Sequence, residues 1–318
     1  MNKGTTTLRG KELLRRSAEF GLIAAIAFSV CASSDPVGAT STPGGSGQNA
    51  KGDSLTPPVQ GTIPIAFLLS EGAVMIDFSG PWEVFQDVMI PGRADPPFRL
   101  YTVAETTHPI HASGGMTIIP DYNLENAPAP KVIVIPAQSE PTAPVLNWIR
   151  KSTKTTDVTM SVCTGAFILA KTGLLSGKAA TTYHGAFVRF ATQFPDIHLK
   201  RGARFVEDGN LATAGGLSSG IDLALRVVER YYGREVAQKT AYNMEYQGQG
   251  WMDRNSNQIY ASTLVSTAEH PLCPVCQMDV APATAPKSLF KGKTYYFCSQ
   301  EDKKTFDASP DKFVDAVK

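Results

Sequence analysis

The sequence predicts an α/β sandwich on a mostly parallel sheet, followed by a small cysteine-containing α+β module. Three observations carry this. Short apolar, β-rich runs alternate with helical patterns over residues 62–250, the arrangement in which crossover helices join parallel strands. A lone mid-chain cysteine, Cys163, stands where one such run turns helical, in "TMSVCTGAFILAKTG". Beyond residue 250 the composition shifts, and Cys273, Cys276 and Cys298 gather in a short aromatic segment too small for a generous core, where a metal ion is a natural staple.

The chain has 318 residues, 42% of them hydrophobic, enough for a sizeable core. Its 30 basic and 29 acidic residues leave a net charge of +1, without the electrostatic footprint of a nucleic-acid binder, so no nucleic-acid partner is expected. Five cysteines spread this unevenly do not form a disulfide framework.

In chain order, "MNKGTTTLRGKELLRR" is basic and leads into "FGLIAAIAFSV", which is apolar but too short to span a bilayer. Small residues follow, with a cleavage point around Val30-Cys31-Ala32. Residues 1–32 read as a signal peptide, which makes the protein periplasmic or extracellular; an uncleaved N-terminal anchor is the alternative. Arg15-Arg16 fits a twin-arginine route and Ser17-Ala18 does not. A lipoprotein anchor on Cys31 is disfavoured because Val30 sits where a small residue is required. Residues 33–61, rich in Gly, Ser, Thr and Pro, read as a flexible linker.

"IPIAFLLSEG" is a buried strand ending in a turn. "FSGPWEVFQDV" starts a helix, with Ser79 as its cap and Pro81 in its first turn. "FRLYTVAE", "KVIVIPA", "DVTMSVC" and "KAATTYH" are further strands; residues 164–171 and "FVRFATQF" are helical. "ARFVEDGNLATAGG" reads as a hairpin turning at Asp208-Gly209. "SSGIDLALRVVERYYG" is the clearest helix, with Ser219 and Asp222 at capping-box spacing and Gly233 at its end. Residues 251–270 form a connector, and residues 271–318 the small module.

A thiol between a strand's carboxyl end and a helix start projects into the crevice where open α/β sheets bind ligands. Helix N–H groups should lower its pKa and make Cys163 nucleophilic, and the N–H of Thr164 or Gly165 is placed for an oxyanion. Gly165 keeps the first turn uncrowded. The alternative is a small core thiol. In the C-terminal segment, the two-residue gap between Cys273 and Cys276 suits two thiolates on one ion, with Cys298 as a third; a Cys273–Cys276 disulfide or a site without metal is the alternative.

"SVCTGAFILAKTGLLSGKAATTYH", "FLLSEGAVMIDFSGPWEVF" and "RGARFVEDGNLATAGGLSSGIDLALRVVERYYG" together resemble the ThiJ/PfpI superfamily, in the branch that contains isonitrile hydratases and the amidase-like halves of some AraC-type regulators. The resemblance implies a flavodoxin-like three-layer sandwich. It makes Cys163 the nucleophile, with Asp77 as its acidic partner and Thr164 following it as in the isonitrile hydratases. Protease-type relatives have His after the cysteine, which lowers a peptidase reading. A partly buried Asp77 near a thiolate should have a raised pKa and carry a proton; its alternative is a helix N-cap. The family's Gly-Gly loop after "KVIVIP" is here Ala137-Gln138, so Ala137 and Gln138 join Gly165 and His184 as substrate-pocket candidates. A hydrogen-bonded structural histidine is the alternative for His184, and Gly215-Gly216 serve a tight turn. Relatives often dimerise, so a homodimer is expected.

"CPVCQM…FKGKTYYFCSQEDKKTF…SPDKF" resembles the YHS domain, a small metal-binding module related to TRASH domains. That implies Cys273, Cys276 and Cys298 as ligands, with Asp302 where many members have a fourth cysteine. Three sulfurs and one carboxylate suit zinc, whereas Cu(I) prefers to lose the oxygen. The catalytic domain calls for no cofactor. Three functions compete: an exported isonitrile hydratase-like enzyme acting on a small electrophilic substrate, a metal or redox stress protein with a glyoxalase-like thiol, and a ligand-binding module without turnover.

Overall fold

The computed structural model describes residues 54–262 and 266–314. The signal-peptide reading and most of the linker lie outside the described residues. From Ser54 onward the linker is laid against the domain: the Leu55 N–H donates to the Arg230 carbonyl at 2.7 Å, and the Leu55 side chain packs on the core. That stretch corrects the expectation of a free tether up to residue 61.

Thirteen strands and eight α-helices follow in chain order. They are β1 (Ile63–Leu68), α1 (Met75–Gln86), β2 (Phe98–Ala104), β3 (Ile110–His111), β4 (Thr117–Ile118), β5 (Tyr122–Asn123), β6 (Val132–Ile135), α2 (Ala143–Ser152), β7 (Val158–Val162) and α3 (Gly165–Lys171). Then come β8 (Ala179–Ala180), α4 (Phe187–Gln193), β9 (His198–Leu199), β10 (Phe205–Asp208), β11 (Leu211–Ala214), α5 (Ser219–Tyr232) and α6 (Arg234–Asn243). The C-terminal module holds β12 (Lys287–Phe290), β13 (Lys293–Tyr296), α7 (Gln300–Ala308) and α8 (Asp311–Val314). Among the described residues, no helix is long and apolar enough to cross a membrane.

Seven strands form one sheet in the order β10-β11-β7-β6-β1-β2-β5, parallel throughout except for the β10–β11 hairpin. Every residue of β6, β7 and β11 is buried, because helices cover both faces. Alternation along β1 feeds two cores. Ile63, Ile65 and Phe67 enter the cluster under α1, α5 and α6, while Ala66 and Leu68 enter the one under α2 and α3. The layers make the flavodoxin-like sandwich. The chain leaves β1 for β2 on one side and later takes up β6 on the other, so β1 and β6 flank a switch point at their carboxyl ends.

Three local expectations are corrected. Helix α1 starts at Met75 with Val74 as an N-cap that makes no side-chain cap bond; Ser79 and Pro81 lie inside the helix, and Asp77 is in its first turn rather than at the strand end or the cap. In "KAATTYH" only Ala179 and Ala180 form a strand, because Thr hydroxyls replace the ladder beyond: the Thr181 N–H donates to Thr213 Oγ1 at 2.8 Å. Asp222 does not cap α5. It is fully buried and accepts bonds from Arg204 Nε, Tyr246 Oη and the Trp251 N–H. Through that network Trp251 joins the main core, so residues just past 250 belong to the first domain.

Candidate active site and metal centre

Cys163 follows β7 with φ of 57°, a left-handed conformation that side-chain-bearing residues rarely adopt. The elbow is held from three sides. The Cys163 N–H donates to the Gly215 carbonyl at 2.9 Å, the Cys163 carbonyl accepts the Thr182 hydroxyl at 2.8 Å, and the Ala166 N–H closes the first helical turn. Gly165 is required by contact: a Cβ there would lie 2.2 Å from the Ile135 carbonyl oxygen and 2.8 Å from that of Pro136. Helix α3 therefore begins pressed against the loop after β6, and only glycine lets it.

Asp77 reaches the same place from the first turn of α1. It is fully buried, and its Oδ2 accepts the Ala137 N–H at 3.1 Å while Oδ1 is buried without a hydrogen-bond partner. Burial raises its pKa from 3.8 to about 6; the Ala137 N–H and the Cys163 thiol pull it partly back. Cys163 itself is 7% exposed. Burial first, and then the Asp77 charge, push its thiol up to about 12, against the N–H groups of Thr164 and Leu217 and the Thr164 hydroxyl, which favour the thiolate. This corrects the expectation of a lowered thiol pKa: an elbow buried in a dry crevice beside a carboxylate loses more from desolvation than the helix start returns. Between pH values of about 6 and about 12 these shifts favour a carboxylate beside a neutral thiol.

The other pocket candidates separate. Thr164 adjoins the sulfur through its N–H and hydroxyl, while Gly165 opens α3 against the loop after β6. Ala137 holds Asp77 through its N–H. The Gln138 amide is engaged by the end of β1 and the turn after it, with Oε1 accepting the Ser70 N–H at 2.6 Å and Nε2 donating to the Leu68 carbonyl at 3.0 Å. His184 is exposed and stacked on Tyr260 at 4.6 Å, and its partial burial lowers its pKa. Gly215 and Gly216 do not have positive φ; Leu217 takes it instead, at 42°. Gly216 is glycine because a Cβ would lie 2.6 Å from the Tyr183 ring.

Three residues went unnoticed in the sequence. Leu217 supplies an N–H to the sulfur, Thr182 ties down the elbow, and Tyr183 feels the charge of both Cys163 and Cys276. The first is a backbone contribution, invisible in residue identity. The Thr-Thr-Tyr run after a short strand was the available signal for the other two.

In the C-terminal module, the ligand atoms of Cys273, Cys276, Cys298 and Asp302 all lie within 4.8 Å of one another. Cys276 Sγ is 3.4 Å from Cys298 Sγ, and Asp302 Oδ2 is 3.4 Å from Cys273 Sγ and 3.2 Å from Cys298 Sγ. All three cysteines are free thiols, so the disulfide alternative is not what the structure holds. A tetrahedral zinc with Zn–S near 2.3 Å needs ligand separations of about 3.8 Å, and this donor set fits it after small adjustments. The hydrogen bond from Cys276 brings Cys273 down to about 7, while Cys276, as the donor, is pushed up. The turn is local: the Cys273 N–H donates to the Met278 carbonyl, Gln277 takes φ of 63°, and Ser299 caps α7 on the Asp302 N–H. Tyr295, Phe297, Phe306 and Phe313 fill the core beneath, as expected of the aromatic run.

Fold and site define a class: a flavodoxin-like α/β protein with a cysteine on a strained strand-to-helix elbow, joined to a buried carboxyl, and followed by a four-ligand thiol module. The chain belongs to the DJ-1/PfpI family, whose pattern matches residues 64–230, and carries a YHS domain over residues 273–317. It is 30% identical over 220 residues to the isonitrile hydratase of Pseudomonas putida, an alignment covering 67% of this chain and 91% of that one. It is 27% identical over 144 residues to the HTH-type transcriptional regulator CdhR of Pseudomonas aeruginosa, covering 44% of this chain and 43% of the regulator. The crystal structure of a ThiJ/PfpI family protein from Pseudomonas syringae superposes with a TM-score of 0.53 at 24% identity, over 69% of this chain and 90% of that one.

Proposed function

We propose that the chain is an exported, isonitrile hydratase-like enzyme with a metal-binding YHS domain. The observation that carries the reading is the buried Cys163–Asp77 pair on the strained elbow, with the Thr164 and Leu217 N–H groups turned to the sulfur. The similarity to an isonitrile hydratase over most of both chains supports it.

The pair's charge state sets the order of steps. As Cys163 sulfur bonds to the terminal isonitrile carbon, its proton passes to the Asp77 carboxylate and from there to that carbon, leaving an S-bound thioimidate, R–N=CH–S. Asp77, a carboxylate again, takes a proton from water as the hydroxide adds to the same carbon, and passes that proton to the nitrogen. The C–S bond then breaks as the hydroxyl proton returns through Asp77 to sulfur, and an N-substituted formamide leaves. The overall change is the addition of one water. The Thr164 and Leu217 N–H groups lie where they stabilise sulfur as its proton departs. A zinc ion held by Cys273, Cys276, Cys298 and Asp302 would supply a structural staple, and no step of this sequence passes through it.

The test is incubation of the full chain with small alkyl isonitriles, following formamide by NMR. Formation by the wild type and its loss in Cys163→Ala are expected. An equal background from both proteins would sink the reading.

A further inference from the structure

Helix α4 belongs to the first domain, yet one of its faces serves the second. Val188 is buried in the core of the C-terminal module beside Cys273, Val275 and Phe313. The next residue, Arg189, points its guanidinium at the thiol cluster: Nη1 is 4.0 Å from Asp302 Oδ1. Asp302 is 8% exposed in its side chain and uses its other oxygen, Oδ2, against Cys273 and Cys298. The guanidinium also lies over the Phe167 ring at 4.7 Å, and its Nε is buried without a hydrogen-bond partner. Phe167 sits in α3, one turn beyond Cys163.

We propose that Arg189 is a positioning residue for the metal centre, supplied across the domain boundary. This inference rests on the reading of the four-residue cluster as a metal site. Three thiolates and a carboxylate around a divalent ion leave two surplus negative charges in a half-buried site. A cation on the outer oxygen of the one carboxylate offsets part of that charge. It also holds the carboxylate so that its inner oxygen faces the sulfurs. Guanidinium suits the task because it stays charged and lies flat on an aromatic face while reaching the carboxylate edge. The ring beneath it fixes the guanidinium plane. The YHS domain is therefore incomplete without α4. The same side chain touches both the metal centre and the helix that starts at the nucleophile.

The experiment is a zinc titration of the full chain, competed against a chromophoric chelator under reducing conditions. Partners at this remove from a metal are worth about 10–100-fold in affinity. Arg189→Met, which keeps the stem and its contact with Phe167, should weaken zinc binding by that factor. Arg189→Lys should recover part of it. In an Asp302→Ala background, Arg189→Met should cost nothing further, because its partner is gone; a merely structural arginine would cost the same in both backgrounds. Equal zinc affinity in wild type and Arg189→Met would overturn the inference while leaving the metal site standing. A wild type that takes up no zinc would overturn both.

Discussion

Replacing Asp77 by Asn should make Cys163 more reactive and abolish the proposed hydration, and the opposed directions make the test informative. The Asp77 charge is the second cause of the raised thiol pKa, after burial. Removing it leaves burial in place, so the thiol stays above a free cysteine but falls from about 12. A unit charge about 4 Å away is worth about 1 kcal/mol in water and about 4 kcal/mol at an effective dielectric near 20. At about 1.4 kcal/mol per pKa unit, the thiol should drop by roughly one to three units. At pH 8, far below either pKa, thiolate scales directly with that drop, so iodoacetamide should alkylate Cys163 about ten to a thousand times faster in Asp77→Asn. The rate is read on the Cys163 peptide by mass spectrometry, with zinc present to protect the other thiols. Hydration should meanwhile fall by at least the 10²–10⁴-fold typical of a lost acid–base group. Alkylation that is unchanged or slower in the variant would show that the carboxylate does not act on the sulfur.

The remaining expectations concern pH and packing. The carboxylate is the working form of Asp77, so kcat/KM should fall with a one-proton slope as pH drops below about 6, a limb absent from any residual Asp77→Asn activity. Asp77 holds its proton more tightly folded than unfolded, about 6 against 3.8, so its burial costs stability above pH 6 and nothing below about 4. Asp77→Asn should therefore be more stable than wild type at pH 7–8 by up to about 3 kcal/mol, with the gap closing on acidification when urea midpoints are compared across that range. Gly165→Ala drives a Cβ into backbone carbonyls that cannot yield, and should cost at least the 1–3 kcal/mol of ordinary overpacking, seen as a lowered Tm with loss of turnover. Thr182→Val keeps the shape but leaves the Cys163 carbonyl with only the long Ala166 N–H contact, at about 1 kcal/mol; thermal melts and kcat should both register it.

Much of this was legible in one chain because parallel strands buried on both faces are written as unbroken apolar runs, and "VIVI" and "VTMSV" are that signal. The elbow was legible because a lone thiol interrupts strand-to-helix punctuation. The start of α1 was misplaced for a physical reason: Ser79-Gly80-Pro81 looks like a helix start, but Gly80 is there to let Ile221 of α5 approach, since a Cβ would meet its side chain at 2.8 Å. Packing between helices distant in sequence overrode the local signal. Asp222 failed likewise: spacing suggested a cap, while an arginine eighteen residues earlier claimed the carboxylate. The sign of the Cys163 shift was beyond a sequence, because it turns on how much water the crevice excludes.

That exclusion also explains why the pair is built as carboxylate and thiol. A thiolate held ready at an exposed helix start would be open to oxidation, as low-pKa exposed cysteines are. Here the sulfur is almost covered, and deprotonation is costly until an electrophile arrives to take the electron pair. Asp77, with a pKa near the middle of the working range, can accept that proton and return it without leaving the crevice. The backbone strain at Cys163 and the glycine demanded at position 165 keep donor and acceptor in register. Among the described residues, the C-terminal domain approaches this arrangement through Asp302, which faces Arg189 of α4 on the Phe167 ring, and through Cys276 near Tyr183.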